Sequence, residues 1–180
     1  MDPARRPGGA PGRRSHTRSV PRLPHSNAEL IARFYDALAR RDAAAMAACY
    51  HPQATFSDPV FPDLDHDATV AMWTMLCSRG SGVGVDASGI QADDRQGRAH
   101  LRASYLFSAT GRRVVNEIDS TFTFRDGLIA RQEDRFDLRR WIAQAFGPVG
   151  AAIGWLPPVQ GALRRRFAAT LAAWRAKHGM

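Results

Sequence analysis

The stretch YLFSATGRRVVNEIDSTFTFRDGLI, residues 105–129, contains alternating apolar and polar side chains that are interrupted by turn residues. From Val114 to Phe124, every second residue falls on one face, and most of that face is apolar. A period of two predicts a strand with one buried face. The Asp-Gly pair at 126–127 predicts a hairpin turn. The stretch therefore predicts antiparallel strands that follow one another along the chain.

The sequence on both sides of this stretch extends the same pattern. Upstream, residues 98–109 alternate with Leu101 and Tyr105 on one face. Downstream, LIARQEDRFD at 128–137 puts Gln132, Asp134 and Phe136 on one face. Ile129 has the opposite parity, which a bulge or the end of the hairpin would explain.

The N-terminal half has a different period. Apolar residues at helical spacing predict three helices at residues 28–41, 43–50 and 67–79. Asn27 and Asp42 are the predicted N-caps of the first two helices, and Gly80, Gly82 and Gly84 are predicted to end the third. Two further strands are predicted at 54–61, where Asp58-Pro59 breaks the strand, and at 85–94.

The C-terminal part is predicted as a helix at 138–147, an apolar Gly/Pro-rich loop at 148–158 and an amphipathic helix at 159–178. The last helix carries an apolar stripe that favours packing on the domain or on a second copy over a membrane-surface role: Leu163, Phe167, Leu171 and Trp174. The predicted organisation is a tail at 1–26, a domain at 27–147 and a C-terminal segment at 148–180.

Charge and composition narrow the function classes. The chain of 180 residues has a formal net charge of +8, and residues 1–26 carry six arginines and one aspartate. This tail, rich in Pro, Gly, Ser and Arg, is predicted to be disordered, whether or not it reflects a mispredicted translation start. The domain has no stripe of interleaved basic and aromatic residues, so nucleic-acid binding through the tail is only a weaker hypothesis.

Several site types are not predicted. No apolar run approaches the roughly 18 residues of a membrane span. Cys49 and Cys77 lie in apolar helical patterns and predict reduced core thiols in a cytoplasmic protein. The histidines show no paired ligand spacing, so no metal site is predicted. The glycines of GSGVG follow a helix, the reverse of a dinucleotide loop, and no cofactor is predicted.

Three motifs, in this order, resemble a bacterial SnoaL-like family of the nuclear transport factor 2-like, or ketosteroid isomerase-like, fold: ATFSDPVFPDLDHDATVAMWTML, YLFSATGRRVVNEIDSTFTFRDGLI and DRFDLRRWIAQAFGPVGAAIGWLPP. The resemblance covers roughly residues 27–165. It implies an α+β fold: a cone-shaped, curved antiparallel (mixed) sheet with three N-terminal helices packed on its concave face, plus C-terminal helices. Members of this fold isomerise steroids, cyclise polyketides, dehydrate small aromatics or open epoxides, and others only bind partners.

The resemblance also implies a homodimer that forms through the convex face of the sheet. His100, Arg102, Glu117 and Asp119 alternate on that face, so the interface would be polar or would move to the C-terminal helix. Two positions depart from the family pattern, which has a histidine where Gln132 stands and a tryptophan where Arg139 stands. These departures argue against a histidine-dependent mechanism.

The candidate catalytic residues follow from the strand faces. An inward Asp134 in an apolar cone would have a raised pKa that suits a general base. Tyr105 and Asn116 fall on inward faces of neighbouring strands and would donate hydrogen bonds to a developing oxyanion, as in ketosteroid isomerase chemistry. The residues predicted to bind the substrate are Gln132, Tyr35, Asp58, Trp73, Leu101, Ile118 and Phe136.

Ordinary structural roles exist for the same residues. Asp134 would pair with Arg102 or Arg135 in a purely structural role. The corresponding alternatives for the others are a core aromatic for Tyr105, a backbone partner for Asn116, a turn for Asp58, and core packing for Trp73 and Trp141.

Two functions remain open from the sequence. One is a cofactor-independent isomerase, cyclase or hydrolase that acts on a hydrophobic small molecule. The other is a non-catalytic ligand-binding or dimerisation module of the same fold. A cavity of about 300 Å³ or more with an unpaired Asp134 favours chemistry, and a closed cone with Asp134 paired to arginine favours the structural function.

Overall fold

The computed structural model describes residues 25–79 and 83–180. The predicted tail up to residue 24, and the predicted helix-ending Gly80 and Gly82, lie outside the described residues. The elements in chain order are α1 (Ser26–Arg40), α2 (Ala43–Ala47), β1 (Tyr50–Ser57), α3 (His66–Arg79), β2 (Gly84–Ala92), β3 (Gln96–Phe107), β4 (Arg112–Arg125), β5 (Leu128–Arg135), α4 (Leu138–Ile153) and α5 (Pro157–His178).

The strands form one sheet in the order β1-β5-β4-β3-β2. The pairs β2–β3, β3–β4 and β4–β5 are antiparallel, whereas β1 runs parallel to β5. The sheet is therefore mixed and curved, and the predicted α+β class is confirmed.

The alternation in β4 matches its burial. The inward-facing Val114, Asn116, Ser120 and Phe122 are buried, and residues between them are more exposed. Ile129 in β5 is fully buried although its parity is opposite to that of Gln132. The register shifts between the pairs Thr123–Arg131 and Phe124–Ile129. A bulge therefore reverses the parity of Ile129, and a bulge was one of the two explanations predicted from the sequence.

The core lies between the concave face of the sheet and the N-terminal helices. Ile31 and Phe34 on α1 are fully buried, and Met72 and Met75 on α3 nearly so. Phe34 makes edge-to-face contacts with three aromatic rings, those of Tyr35, Tyr50 and Trp73. This packing fixes α1 and α3 over the sheet and positions their polar side chains relative to the strands.

The helix caps agree with the prediction in one case and differ in the other. The Asp42 side chain accepts a hydrogen bond from the Ala45 N–H and caps α2, as predicted. The predicted cap of α1 was wrong, because His25 Nδ1 accepts from the Asn27 N–H. The Asn27 side chain instead donates to the Asp93 carbonyl and ties α1 to the β2–β3 turn.

The predicted loop at 148–158 was also wrong in its first half. Helix α4 continues to Ile153 after a kink at Gly147, which has φ 69° and ψ −146°. Pro148 follows the kink, where a new helical segment begins and a missing N–H costs little. Gly and Pro at this point mark a change of helix direction rather than a loop.

Helix α5 packs back onto its own domain, one of the two partners predicted for its apolar stripe. Leu163 and Leu171 are buried. The Phe167 ring lies edge-on to Phe61 and Trp141, with centroid separations of 5.8 and 5.9 Å. α5 therefore extends the wall of the domain beyond the sheet and the N-terminal helices.

Candidate functional site

A cavity of about 430 Å³ lies between the concave face of the sheet and helices α3, α4 and α5. Its walls are mostly apolar, and aromatic rings from three helices and two strands contribute to them. This volume exceeds the value of about 300 Å³ that is typical of the smallest small-molecule sites. The cone is therefore hollow rather than filled by side chains.

Most of the predicted site residues line this one cavity: Asp134, Tyr105, Asn116, Asp58, Trp73, Leu101, Ile118 and Phe136. Two of them do not. Gln132 and Tyr35 are 0% and 3% exposed and lie one layer behind the cavity wall. This differs from the prediction that they contact a substrate, because strand parity gives the face of a residue but not its depth.

Gln132 holds the carboxylate of Asp134. The Gln132 Nε2 donates to Asp134 Oδ1 at 3.0 Å, and the Gln132 Oε1 accepts from the Tyr50 hydroxyl. The Tyr50 oxygen in turn accepts from Trp73 Nε1 at 3.0 Å. This series of hydrogen bonds fixes which way the Gln132 amide points, so that its donor faces the carboxylate.

A second series reaches Asp134 from helix α1. The Tyr35 hydroxyl donates to Ser120 Oγ at 2.8 Å, and Ser120 pairs with Asp134 across β4 and β5 and lowers the pKa of its carboxyl group. Gln132 on β5 and Ser120 on β4 therefore flank one carboxylate, and buried tyrosines hydrogen-bond both of them. Such an arrangement holds the carboxylate in one position without a cation.

Burial dominates the electrostatics of Asp134. The residue is 6% exposed, and burial raises its pKa to about 6, against the lowering effect of the hydrogen bonds from Gln132 and Ser120. In the part of the chain that the structure describes, Asp134 has no ion pair with Arg102, Arg135 or any other basic side chain. Arg102 pairs with Glu117, and Arg135 pairs with Glu133.

Asp58 supplies a second carboxyl group to the cavity. Its Oδ1 accepts hydrogen bonds from the N–H groups of Val60, at 2.6 Å, and Phe61, so the side chain shapes the turn after β1. Burial raises the pKa of Asp58 to about 7, despite the lowering effect of these two donors, and the charge of Asp134 adds to the increase. The turn-forming role considered for Asp58 and its position in the cavity therefore coexist.

Tyr105 and Asn116 present donors to the cavity. The Tyr105 oxygen accepts from Trp141 Nε1 at 2.8 Å. Because the indole only donates, the phenolic proton of Tyr105 remains available. Asn116 is 7% exposed and lines the cavity. A side-chain amide carries two N–H donors, so Asn116 can donate to a molecule in the cavity.

Sequence reasoning missed several residues of the site. Tyr50 begins β1 with no periodic signal, and Ser120 was recognised only as an inward residue of β4. The contribution of α5 was missed because a helical period identifies an apolar face but not the surface that it covers. The α5 residues that line the cavity are Leu163, Arg166, Phe167 and Thr170.

The outer face of the sheet carries ion pairs instead of a cavity. His100 contacts both Glu117 and Asp119, at 3.1 and 2.8 Å, and these carboxylates raise the pKa of the imidazole. Within residues 25–79 and 83–180, no group of three metal-ligating His, Cys, Asp or Glu side chains comes together. None of the helices in this part is long and apolar enough to cross a membrane.

The thiols differ in their positions. Cys49 is buried, as predicted, whereas Cys77 is half-buried and lines the cavity, so the prediction of two core thiols was only half right. Burial raises the pKa of both thiols. Neither therefore has the thiolate character of a nucleophilic cysteine at neutral pH.

The comparisons with known proteins agree with this architecture. The family model described as "SnoaL-like domain" matches residues 31–132. Comparison with functionally curated proteins gives no match. The match to the family model ends within β5, so α4 and α5 lie outside it.

Solved structures show the same fold at low sequence identity. An LEH-like epoxide hydrolase from M. tuberculosis is 18% identical, with a TM-score of 0.58, over 72% of this chain and 96% of the hydrolase. TerC, co-crystallised with polyporic acid, is 18% identical, with a TM-score of 0.59, over 68% of this chain and 100% of TerC. An NTF2-like protein from Burkholderia thailandensis is 21% identical, with a TM-score of 0.59, over 69% of this chain and 99% of that protein.

Proposed function

This chain belongs to the SnoaL-like domain family, and on that premise we propose that it acts on a hydrophobic small molecule without a cofactor. The reaction is an isomerisation, a cyclisation or a hydrolysis, and Asp134 is its general base. The observation that carries the proposal is a buried carboxylate in a mostly apolar cavity, held by neutral donors and without a cationic partner in the described residues.

The pKa of Asp134 suits a base. With a pKa of about 6, the carboxylate is mostly ionised at neutral pH and yet more basic than an exposed aspartate. Gln132 and Ser120 act as positioning residues, because they hold the carboxylate at the cavity wall and do not line the cavity themselves. An apolar environment also strengthens the electrostatic interactions of the reacting groups.

Tyr105 and Asn116 supply the complementary electrophilic groups. When Asp134 removes a proton from a carbon beside a carbonyl group, negative charge develops on the carbonyl oxygen. The Tyr105 hydroxyl and the Asn116 amide would donate to that oxygen, and fixed donors of this kind contribute a large part of the rate enhancement in such reactions. The Trp141 N–H makes Tyr105 a stronger donor, because hydrogen bonds in series polarise one another.

Asp58 offers a route for returning the proton. With a pKa of about 7, a substantial share of Asp58 is protonated at neutral pH, while Asp134 is mostly ionised. In an isomerisation, the proton that Asp134 removes from one carbon is replaced at another carbon from the protonated carboxyl group of Asp58 or from Asp134 itself. In a hydrolysis, Asp134 would take a proton from the attacking water instead.

The structural relatives illustrate the range of chemistry without selecting one reaction. One of them is named an epoxide hydrolase, and TerC was co-crystallised with polyporic acid. Identity below 25% supports the shared fold alone, and this fold hosts several activities. The reaction class is therefore proposed from the cavity residues, and it is limited to reactions that one base and neutral donors can perform.

A paired ligand screen tests the proposal. Wild-type protein, Asp134→Asn and the exposed control Asp36→Asn would be screened by thermal shift against apolar ketones, lactones and epoxides, and stabilising compounds would be followed for turnover. We expect turnover by the wild type and by Asp36→Asn, with a loss of about 10²–10⁴-fold in Asp134→Asn. Tight binding without turnover would overturn the catalytic proposal and leave the non-catalytic ligand-binding function.

We also propose that the protein is a homodimer, as its family resemblance implies, and that it is cytoplasmic, as its reduced thiols imply. The outer face of the sheet is charged, with His100 and Arg102 paired to carboxylates, so this interface would be polar unless α5 forms it. Size-exclusion chromatography with light scattering tests the assembly. A strict monomer at micromolar concentration would contradict it.

A further inference from the structure

Three arginines line the cavity at its exposed parts. Arg41 is the C-cap of α1, Arg79 is the last residue of α3, and Arg166 lies on α5. All three are exposed, whereas Asp134 is 6% exposed. Cations therefore lie toward the solvent, and a carboxylate lies deep in the same cavity.

These three guanidinium groups have no carboxylate partner in the described residues. By contrast, several arginines on the sheet have polar partners, for example Arg102 with Glu117 and Arg98 with Gln91. Asp42 follows Arg41 in the chain, but it caps α2 and does not line the cavity. The charged side chains that line the cavity in the described part of the chain are the three arginines, Asp58 and Asp134.

This arrangement orients a bound molecule. An anionic group near Asp134 would meet a like charge in a poorly solvated environment, which is unfavourable. The same group at the exposed arginines would meet opposite charges and keep contact with water. A molecule with one anionic end therefore enters in one orientation, with its neutral apolar end toward Asp134, Tyr105 and Asn116.

We infer that the ligand is an amphipathic anion, with an apolar body in the cavity and a single carboxylate, sulfonate or phosphate group at Arg41, Arg79 and Arg166. This inference rests on the proposed function only in taking the cavity as the ligand site. The anion supplies affinity and orientation, and the neutral end supplies the reacting atoms. The three arginines are specificity-determining residues that do not touch the reacting atoms.

Two fluorescent probes with the same ring skeleton test the inference. Anilinonaphthalene sulfonate carries one sulfonate, and phenylnaphthylamine is its neutral counterpart. We expect the sulfonate to bind about tenfold more tightly at low ionic strength, since each of the three exposed arginines contributes about two- to threefold in affinity. The preference should shrink as salt increases, because the arginines are exposed.

Charge-matched variants test whether the preference for the sulfonate probe comes from the three arginines that line the cavity. The triple variant Arg41→Gln, Arg79→Gln and Arg166→Gln should bind both probes equally. A control that removes the same net charge from exposed arginines that do not line the cavity, namely Arg113→Gln, Arg139→Gln and Arg140→Gln, should keep the tenfold preference. Ala103→Phe narrows the cavity from β3 and should weaken binding of both probes, which places them inside it.

Several outcomes would overturn the inference. Equal affinity of the wild type for the two probes would exclude an anionic ligand class, as would a preference that survives the first triple variant or is lost in the control. Undiminished sulfonate binding in Ala103→Phe would place that probe outside the cavity. None of these results depends on Asp134, so failure of the inference is separate from failure of the proposed chemistry, which the Asp134→Asn turnover assay detects.

Discussion

Asp58, in the turn directly after β1, and Asp134, on the neighbouring parallel strand β5, line the same cavity. The pairing of Ser57 with Glu133 brings β1 and β5 into register just before them. Burial raises the pKa of Asp58 and the charge of Asp134 adds to the increase, so the two carboxyl groups resist being ionised together. A parallel strand pair therefore supplies one carboxylate and one group that is partly protonated at neutral pH.

The stability of the protein should depend on the ionisation of Asp134. Its pKa of about 6 in the folded state exceeds the ordinary value of 3.8, so the folded state holds the proton more tightly than the unfolded chain. The free energy of unfolding therefore falls as the pH rises from about 4 to about 6, and the cost persists above that range. At about 1.4 kcal/mol per unit of pKa, the full cost is about 3 kcal/mol.

Asp134→Asn removes this cost. We expect its stability relative to wild type to be about 2–3 kcal/mol more favourable at pH 8 than at pH 4, measured by urea unfolding at both pH values. The exposed Asp36→Asn is the matched control and should show little change between the two pH values. A wild-type protein that gains stability from pH 4 to pH 8 relative to Asp134→Asn would contradict the buried, unpaired state of the carboxylate.

Gln132 should stabilise the folded protein and lower the pKa of Asp134. Gln132→Leu removes the donor to Asp134 and the acceptor for the Tyr50 hydroxyl, leaving two buried polar groups without this partner. We expect a loss of about 2–4 kcal/mol in urea unfolding. The pKa of Asp134 should rise further, because the Gln132 donor lowers it.

The control for Gln132 is an exposed amide on the same sheet. Gln91 on β2 accepts a hydrogen bond from Arg98 at the surface. Gln91→Leu should change the free energy of unfolding by no more than about 0.5 kcal/mol. Equal losses in the two variants would mean that Gln132 does not depend on its buried partners.

The strand faces could be predicted from the sequence because successive side chains of a strand point to opposite faces of the sheet. The inward positions of Tyr105, Asn116 and Asp134 follow from that alternation. Whether an inward residue lines the cavity or lies behind its wall could not be predicted in the same way. Gln132 shares the face of Asp134, but Tyr50 on the adjacent strand covers it, and no periodic pattern shows which inward residues a neighbouring element will bury.

The C-terminal wall of the cavity could not be predicted for a related reason. The apolar stripe of α5 indicates that it packs on something, but the position of Phe167 over Trp141 depends on the direction that the chain takes after Gly147. A single backbone conformation at a glycine sets that direction. The sequence near it, with Pro148 and further glycines, is also typical of a loop.

Phe167 should fix α5 against the rest of the domain. Its ring contacts Phe61, Phe107 and Trp141, which lie on three different parts of the fold. Because the residue is half-buried, we expect Phe167→Ala to lower the free energy of unfolding by about 2–3 kcal/mol. Phe167→Leu keeps most of the apolar volume and should cost less than half as much. An unchanged stability in Phe167→Ala would indicate that α5 is not docked in solution.

Two glycines in the C-terminal helices should respond in opposite directions to the same substitution. Gly147 has φ 69° and ψ −146°, a conformation that is strained for any residue with a Cβ. A Cβ there would also lie 3.0 Å from the Arg112 guanidinium carbon. Gly147→Ala should therefore cost about 1–3 kcal/mol in urea unfolding.

Gly161 lies inside α5, and a Cβ there would make an ordinary contact at 3.5 Å with Arg165 Nη1. Gly161→Ala should stabilise the protein by about 0.5–1 kcal/mol, because alanine favours the helix. A Gly147→Ala variant that is as stable as the wild type would contradict a kink that is set by the backbone of Gly147.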